Sequence, residues 1–209
     1  MRKLEHSRER FYKITEEYSK LYSFSNRREQ LTLTNGVLNF IWNSWNNYWR
    51  NYWIAHVSGG LNVDKSLITP IHPNYTDKEA CHYLLFACGK RKRHNLHDSI
   101  SGSHQEATWG DPKIIESIAL SLQHQHPQMV YVLGLLSIYK TNIEHLQRIR
   151  NSFTHLNNEN IYHLNSIDSY YSFGHNHKLI DILESTTISN STKCFDNIID
   201  NLNGFLQNL

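Results

Sequence analysis

Arg150, Asn151 and His155 place a guanidinium, an amide and an imidazole within six residues of one another. Together these groups suit phosphoryl chemistry on RNA. The ribose 2′-hydroxyl is a built-in nucleophile, so cleavage needs a base for its proton, an acid for the leaving 5′-oxygen and a cation for the crowded phosphate. No metal is required for those three tasks. His155 carries the side chain that exchanges protons near neutral pH, and Arg150 supplies a permanent charge with planar donors suited to phosphate. On a helix, residues four apart share a face, so Asn151 and His155 become neighbours while Arg150 lies about 100° round from Asn151. Its long side chain reaches back toward the same cleft. Leu146, Ile149 and Phe153 fall toward the opposite side and anchor the helix, holding the three polar groups out from a buried backbone. At the C-terminal end of a helix the dipole favours a cationic imidazole, which suits His155 as an acid or phosphate-binding cation. A second copy of the site would then supply the base.

Other residues are candidates for holding RNA. Lys90-Arg91-Lys92-Arg93 is the one strong basic run, able to track a phosphate backbone through salt-dependent contacts, with a solvated loop as the equally weighted alternative. Asn43, Asn46, Asn47 and Arg50 line one face of an aromatic helix. Arg50 is preferred among them, because an arginine beside aromatic rings both stacks and holds phosphate. Trp42 to Trp53 could serve as a base-stacking platform, but helical spacing favours core or dimer interface. Cys81, His82, Cys88, His94, His97 and His104 offer metal donors, yet their spacing matches no common ligand pattern, so no metal or cofactor is expected. Neither a P-loop nor a dinucleotide fingerprint is present, which argues against an ATPase.

The elements that must position these residues are helical. Only 4 Pro and 9 Gly occur in 209 residues, leaving long segments free of helix breakers. Leu4, Phe11, Ile14, Tyr18 and Leu21 mark an amphipathic first helix. A second runs from Asn35, with Leu38, Ile41, Trp42, Trp45, Tyr48, Trp49, Tyr52, Trp53 and His56 on one stripe, to a stop at Gly59-Gly60. Residues Gly60 to Pro73 read as an irregular connection with room for a short extended piece. Thr76-Asp77-Lys78-Glu79 has the form of a capping box and opens a third helix to about Cys88. A polar stretch to Gly110 reads as a mobile loop. Asp111-Pro112 starts a fourth helix to about His124. From Pro127 a fifth runs to the Arg150–His155 segment, with a loosened turn expected near Thr141-Asn142. Asn160 to Phe173 and Cys194 to Leu206 complete the set, separated by a polar stretch that includes Ser185 to Ser191. The expectation is an all-α, up-and-down bundle of six or seven helices in a single domain, residues 1–209, with a core from about 35 to 165.

Arg150, Asn151 and His155 fit the R-N-x-x-x-H motif, and in this the chain resembles the HEPN superfamily of small helical proteins, which includes toxin, phage-defence and CRISPR-associated ribonucleases. The Trp-rich helix ending at Gly59-Gly60 and the Thr108-Trp109-Gly110-Asp111-Pro112 turn look like the RiboL-PSP-HEPN subgroup. The resemblance implies a homodimer with two motifs facing across a cleft and metal-independent endoribonuclease activity. Arg150 and His155 would be catalytic and Asn151 their orienting partner. It also implies a toxin or phage-defence effector restrained by an antitoxin or regulatory partner. The alternative is a catalytically silent HEPN-like module that binds RNA or protein and pairs with a separate effector. The resemblance does not extend to the N-terminal helix or beyond about His163.

Composition bounds these readings. Three Cys at irregular spacing do not form a disulfide framework. Met1 to Lys20 lacks an apolar signal core and no long apolar run occurs, so a cytoplasmic protein is expected. A net charge of +2 is too small to argue for nucleic-acid binding by itself. Replacing Lys90-Arg91-Lys92-Arg93 by Ser is expected to weaken RNA binding and flatten its dependence on salt. Filter binding at several salt concentrations checks this, and unchanged slopes count against an RNA-tracking role.

Overall fold

A computed structural model describes residues 2–20, 27–155, 158–172 and 179–209. Among them are eight α-helices: α1 (Leu4–Lys20), α2 (Arg27–Ser58), α3 (Asp77–Ala87), α4 (Pro112–Leu122), α5 (Met129–Thr154), α6 (Asn158–Asn165), α7 (Leu179–Glu184) and α8 (Cys194–Gln207). Three two-residue strands, β1 (Arg2–Lys3), β2 (Gly60–Leu61) and β3 (Leu67–Ile68), form one small sheet. With 64% helix and 5% strand, the chain is all-α, as its periodicity predicts.

Several boundaries differ from expectation, each for a physical reason. Helix α2 begins at Arg27 instead of Asn35. Its first turns expose Leu31 and Leu33 and offer no apolar stripe for periodicity to detect. Helix α5 passes through Thr141-Asn142 without a break. Helix α6 stops at Asn165, because the chain turns there toward a bridge between Tyr171 and Thr187; Phe173, the expected end, lies outside the described residues. Helix α7 is six residues long, too short for a periodic signal. The strands are too short as well.

The chain divides into two compact units, one of residues 1–11, 44–138 and 209, the other of residues 12–43 and 139–208. In the first, Trp45, Trp49 and Trp53 of α2 are fully buried, with ring centroids 5.7 and 5.1 Å apart along the helix. Their spacing is that of core and not of an open stacking platform. The Trp45 indole donates to the Gly110 carbonyl at 2.9 Å, and the Gly110 amide donates to the Asn46 side-chain oxygen at 2.8 Å. A Cβ on Gly110 would lie 2.3 Å from the Trp45 ring, so only glycine admits this contact. Asp111 then caps α4 by accepting from the Lys113 amide, with Pro112 in the first turn. Thr76 and Glu79 close a reciprocal capping box on α3. At the other end of α2, Gly59 takes a φ of 102° that a side chain would resist, and β2 follows at once. Strand β2 lies between β1, which it pairs in parallel, and β3, antiparallel.

Residues 89–110, read from the sequence as a loop, make hydrogen bonds to the segment 75–82 and to one another. The Tyr75 hydroxyl meets His94 Nε2 at 3.1 Å, His82 and His94 approach at 3.2 Å, and the Ile100 amide donates to the Lys78 carbonyl. Of the Cys and His donors of this region, His82 and His94 meet as a pair. Among the described residues no three metal-binding side chains cluster, and Cys81, Cys88 and Cys194 are free thiols. Burial pushes the Cys81 thiol up to about 12, which leaves it inert.

In the second unit, Ile143, Leu146, Ile149 and Phe153 form the buried stripe of α5, and Ile198, Leu202 and Phe205 that of α8. Tyr139 and Phe205 pack with centroids 5.6 Å apart. His145 is buried among these helices and meets the Tyr171 hydroxyl at 3.0 Å. Burial lowers its pKa to about 4, and that of His56 in the first unit also to about 4. Because both are depressed in the fold, the unfolded chain binds more protons between about pH 4 and the ordinary histidine value near 6.5. Stability therefore rises with pH through that window and is fully present above it. Thermal melts are expected to show a loss of about 1–2 kcal/mol per histidine between pH 7 and pH 5, and His145→Phe should remove part of that dependence. A melting temperature flat over this range would contradict it.

Candidate functional site

The Arg150–His155 segment closes α5 in the second unit. Ile149 and Phe153 are buried, which fixes the rotation of the last turns and leaves Arg150, Asn151 and Thr154 half-buried and His155 exposed. The local fold thus presents the polar residues as helical periodicity predicts.

Arg150 is held by two amide oxygens. Its Nε donates to Asn39 Oδ1 at 2.8 Å, and its Nη1 donates to Asn151 Oδ1 at 3.0 Å. Asn39 is itself fixed, because its side-chain amide donates to the Asn35 backbone carbonyl and to Asn35 Oδ1, both at 2.8 Å. The Thr154 hydroxyl extends the network, donating to the Arg150 carbonyl at 3.0 Å and meeting Asn35 Oδ1 at 3.3 Å. One helical turn of α2 and the last turn of α5 therefore form a polar lattice around the guanidinium.

The partners of Arg150 are neutral. Among the described residues no carboxylate pairs with it, so its charge is oriented without being cancelled. Partial burial lowers its pKa, although a guanidinium keeps its proton throughout the working pH range. Arg148, two residues earlier, differs: it lies 3.8 Å from Glu144 and donates to the Ser166 hydroxyl at 2.6 Å.

Asn151 acts on Arg150 through its side chain and on His155 through its backbone, whose carbonyl accepts from the His155 amide at 2.8 Å. That backbone bond is the ordinary i to i+4 bond of a helix, and the Asn151 side-chain oxygen serves the arginine. Asn39 and Asn35 are the residues that sequence reasoning missed. Their signal was present in the Asn35, Asn39, Asn43 spacing of four, which places three amides on one face of α2.

The residues expected to hold RNA, Arg50 and Lys90 to Arg93, lie in the first unit. Arg50 is engaged by Glu106 in a two-point ion pair, Nε to Oε2 at 2.6 Å and Nη2 to Oε1 at 2.7 Å. Glu106 also accepts from the Trp109 indole at 2.7 Å. Burial pushes the Glu106 carboxyl up, but the bonds from Arg50 and Trp109 outweigh it and hold the group below its usual range. The same hydrogen bond raises Arg50. Arg50 is therefore a structural clasp on the segment before α4. Lys90, Arg91, Lys92 and Arg93 are all exposed, with Arg91 reaching the Gln105 side chain at 3.3 Å.

No protein-family profile, curated protein or solved structure matches the chain. No helix among the described residues is long and apolar enough to cross a membrane.

The Arg150 lattice predicts a stability effect. Asn39→Ala removes the acceptor of a charged donor and leaves Arg150 Nε half-buried without its partner. Urea denaturation is expected to show a loss of about 1–3 kcal/mol. An unchanged midpoint would mean that the bond contributes nothing.

Proposed function

We propose that the chain is a metal-independent endoribonuclease of HEPN type, acting as a toxin or phage-defence effector. In this reading the 2′-hydroxyl attacks the adjacent phosphate, releasing a 5′-hydroxyl and leaving a cyclic phosphate. Arg150 holds the phosphate and gathers its developing charge, His155 transfers a proton, and Asn151 and Asn39 orient the guanidinium. The observation that carries the proposal is the combination at the end of α5: an oriented arginine with neutral partners, five residues from an exposed imidazole. Neutral partners suit the task because they fix geometry while leaving the charge for the transition state.

A single copy supplies one imidazole where the reaction uses an acid and a base. The reading therefore includes a homodimer in which two such segments share one cleft, and a regulatory partner that restrains the activity in the cell.

The experiment is cleavage of single-stranded RNA by the purified chain in EDTA. Arg150→Ala and His155→Ala are each expected to lower the rate at least about 100-fold. Asn39→Asp discriminates further, since it keeps the acceptor for Arg150 Nε while losing the amide that donates to Asn35 and placing a carboxylate on Arg150; with circular dichroism confirming a folded chain, cleavage should fall comparably. Activity that persists in both alanine variants sinks the assignment. RNA binding without cleavage by the parent chain would favour the silent binding module.

A further inference from the structure

The first unit contains a cavity of about 570 Å³ between the end of α2, the β2–β3 turn and the start of α5. That volume lies in the range of small-molecule sites. Two side chains in its wall, Tyr52 and His56, sit one turn apart on α2 with ring centroids 4.4 Å apart. They are 4% and 2% exposed.

Both carry a polar atom with no protein partner among the described residues. His56 Nδ1 lies 2.9 Å from the Tyr52 carbonyl, an acceptor, so this nitrogen bears the hydrogen and donates. In the neutral ring Nε2 is then a bare acceptor. The ring is held neutral by burial, which lowers its pKa to about 4. The Tyr52 hydroxyl keeps its proton, since burial raises its pKa, and it too makes no hydrogen bond within the described chain. His126, whose ring packs edge-on against that of His56 with centroids 5.0 Å apart, is already committed through Nε2 to the His56 carbonyl at 3.1 Å. The wall therefore offers an acceptor and a hydroxyl side by side, on two side chains that are otherwise buried.

The chemistry of the lining restricts the occupant. No Lys or Arg side chain lines the cavity, so no fixed cation there compensates a phosphate or a carboxylate. Tyr52, His56, His126 and Tyr131 present aromatic faces, and Gln125 and Gln128 add amides at an exposed edge. A flat, uncharged ring bearing N–H donors beside an acceptor satisfies all of these at once. We propose that this cavity is a nucleobase-binding site, taking the base of a nucleoside with an N–H on His56 Nε2 and a ring acceptor on the Tyr52 hydroxyl. The site does not depend on the ribonuclease reading.

The test is calorimetric titration of the full chain with adenosine, guanosine, cytidine and uridine in turn. At least one is expected to bind saturably, and Tyr52→Phe and His56→Phe should each weaken it at least tenfold while the far-ultraviolet circular dichroism stays unchanged. Gln128→Ala, at an exposed position, should weaken it about threefold and guards against a misfolded core variant. The matching 5′-monophosphate should bind no more tightly than the nucleoside. Displacement of the nucleoside by a single-stranded hexamer would identify a base presented on a strand as the occupant, and its failure a free nucleoside. The proposal is overturned if none of the four nucleosides binds at millimolar concentration, the cavity then holding water only. Binding indifferent to both Tyr52→Phe and Gln128→Ala, or a tenfold preference for the monophosphate, overturns it equally.

Discussion

The first unit depends on the seat of Trp45 against Gly110. One indole, fully buried, spends its single donor on a backbone carbonyl, and the neighbouring amide returns to Asn46 on the same helix. This closes a long polar segment onto α2 at a defined residue. The Asp111 cap and the Glu106 clasp on Arg50 follow within a few positions on either side. A side chain at position 110 would collide with the ring. Placement of the turn, start of α4 and burial of the tryptophan are therefore one constraint seen from three sides. An aromatic residue with a polar handle is suited to this, because it contributes area and direction together.

The second unit solves a different problem, the orientation of a cation without loss of its charge. A carboxylate would hold Arg150 more strongly, as Glu106 holds Arg50, but would leave the guanidinium neutralised. Amide oxygens bring it to a similar distance with only a dipole. The two arginines show the two uses of the same side chain. One meets a carboxylate and the other, among the described residues, only amide oxygens. The difference lies in the partner and not in the arginine, so residue type alone could not separate them.

That contrast also marks how far the sequence could be read. Capping at Thr76 and Asp111, the stop at Gly59, and the buried stripes of α2 and α5 are local patterns, set by residues within a turn or two of one another, and all were legible. The start of α2 was not, because its first turns lack an apolar face. Short pieces such as α7 and the three strands carry too few residues for any period. At the site, Arg150, Asn151 and His155 stood out by type and spacing. Asn39 did not, since its role requires a partner 111 residues away. Glu106 was hidden in the same way, 56 residues from Arg50 inside a polar stretch. Pairings of that length are tertiary: a spacing of four can mark a face of α2, but not the distant residue that the face meets.

The division of the chain bears on the order in which it is made. Residues 12–43 leave the ribosome before 44–138, yet the rest of their compact unit, residues 139–208, is synthesised only after that stretch. The Asn35–Asn39 amides, finished early, must wait for Arg150 through the whole of the intervening stretch. The first unit can close nearly all its contacts once residue 138 has emerged. Such long-range closure is slow to begin and exposes apolar surface meanwhile. A growing chain therefore acquires its aromatic core well before it acquires an oriented arginine, and a nascent chain stalled midway carries the former without the latter.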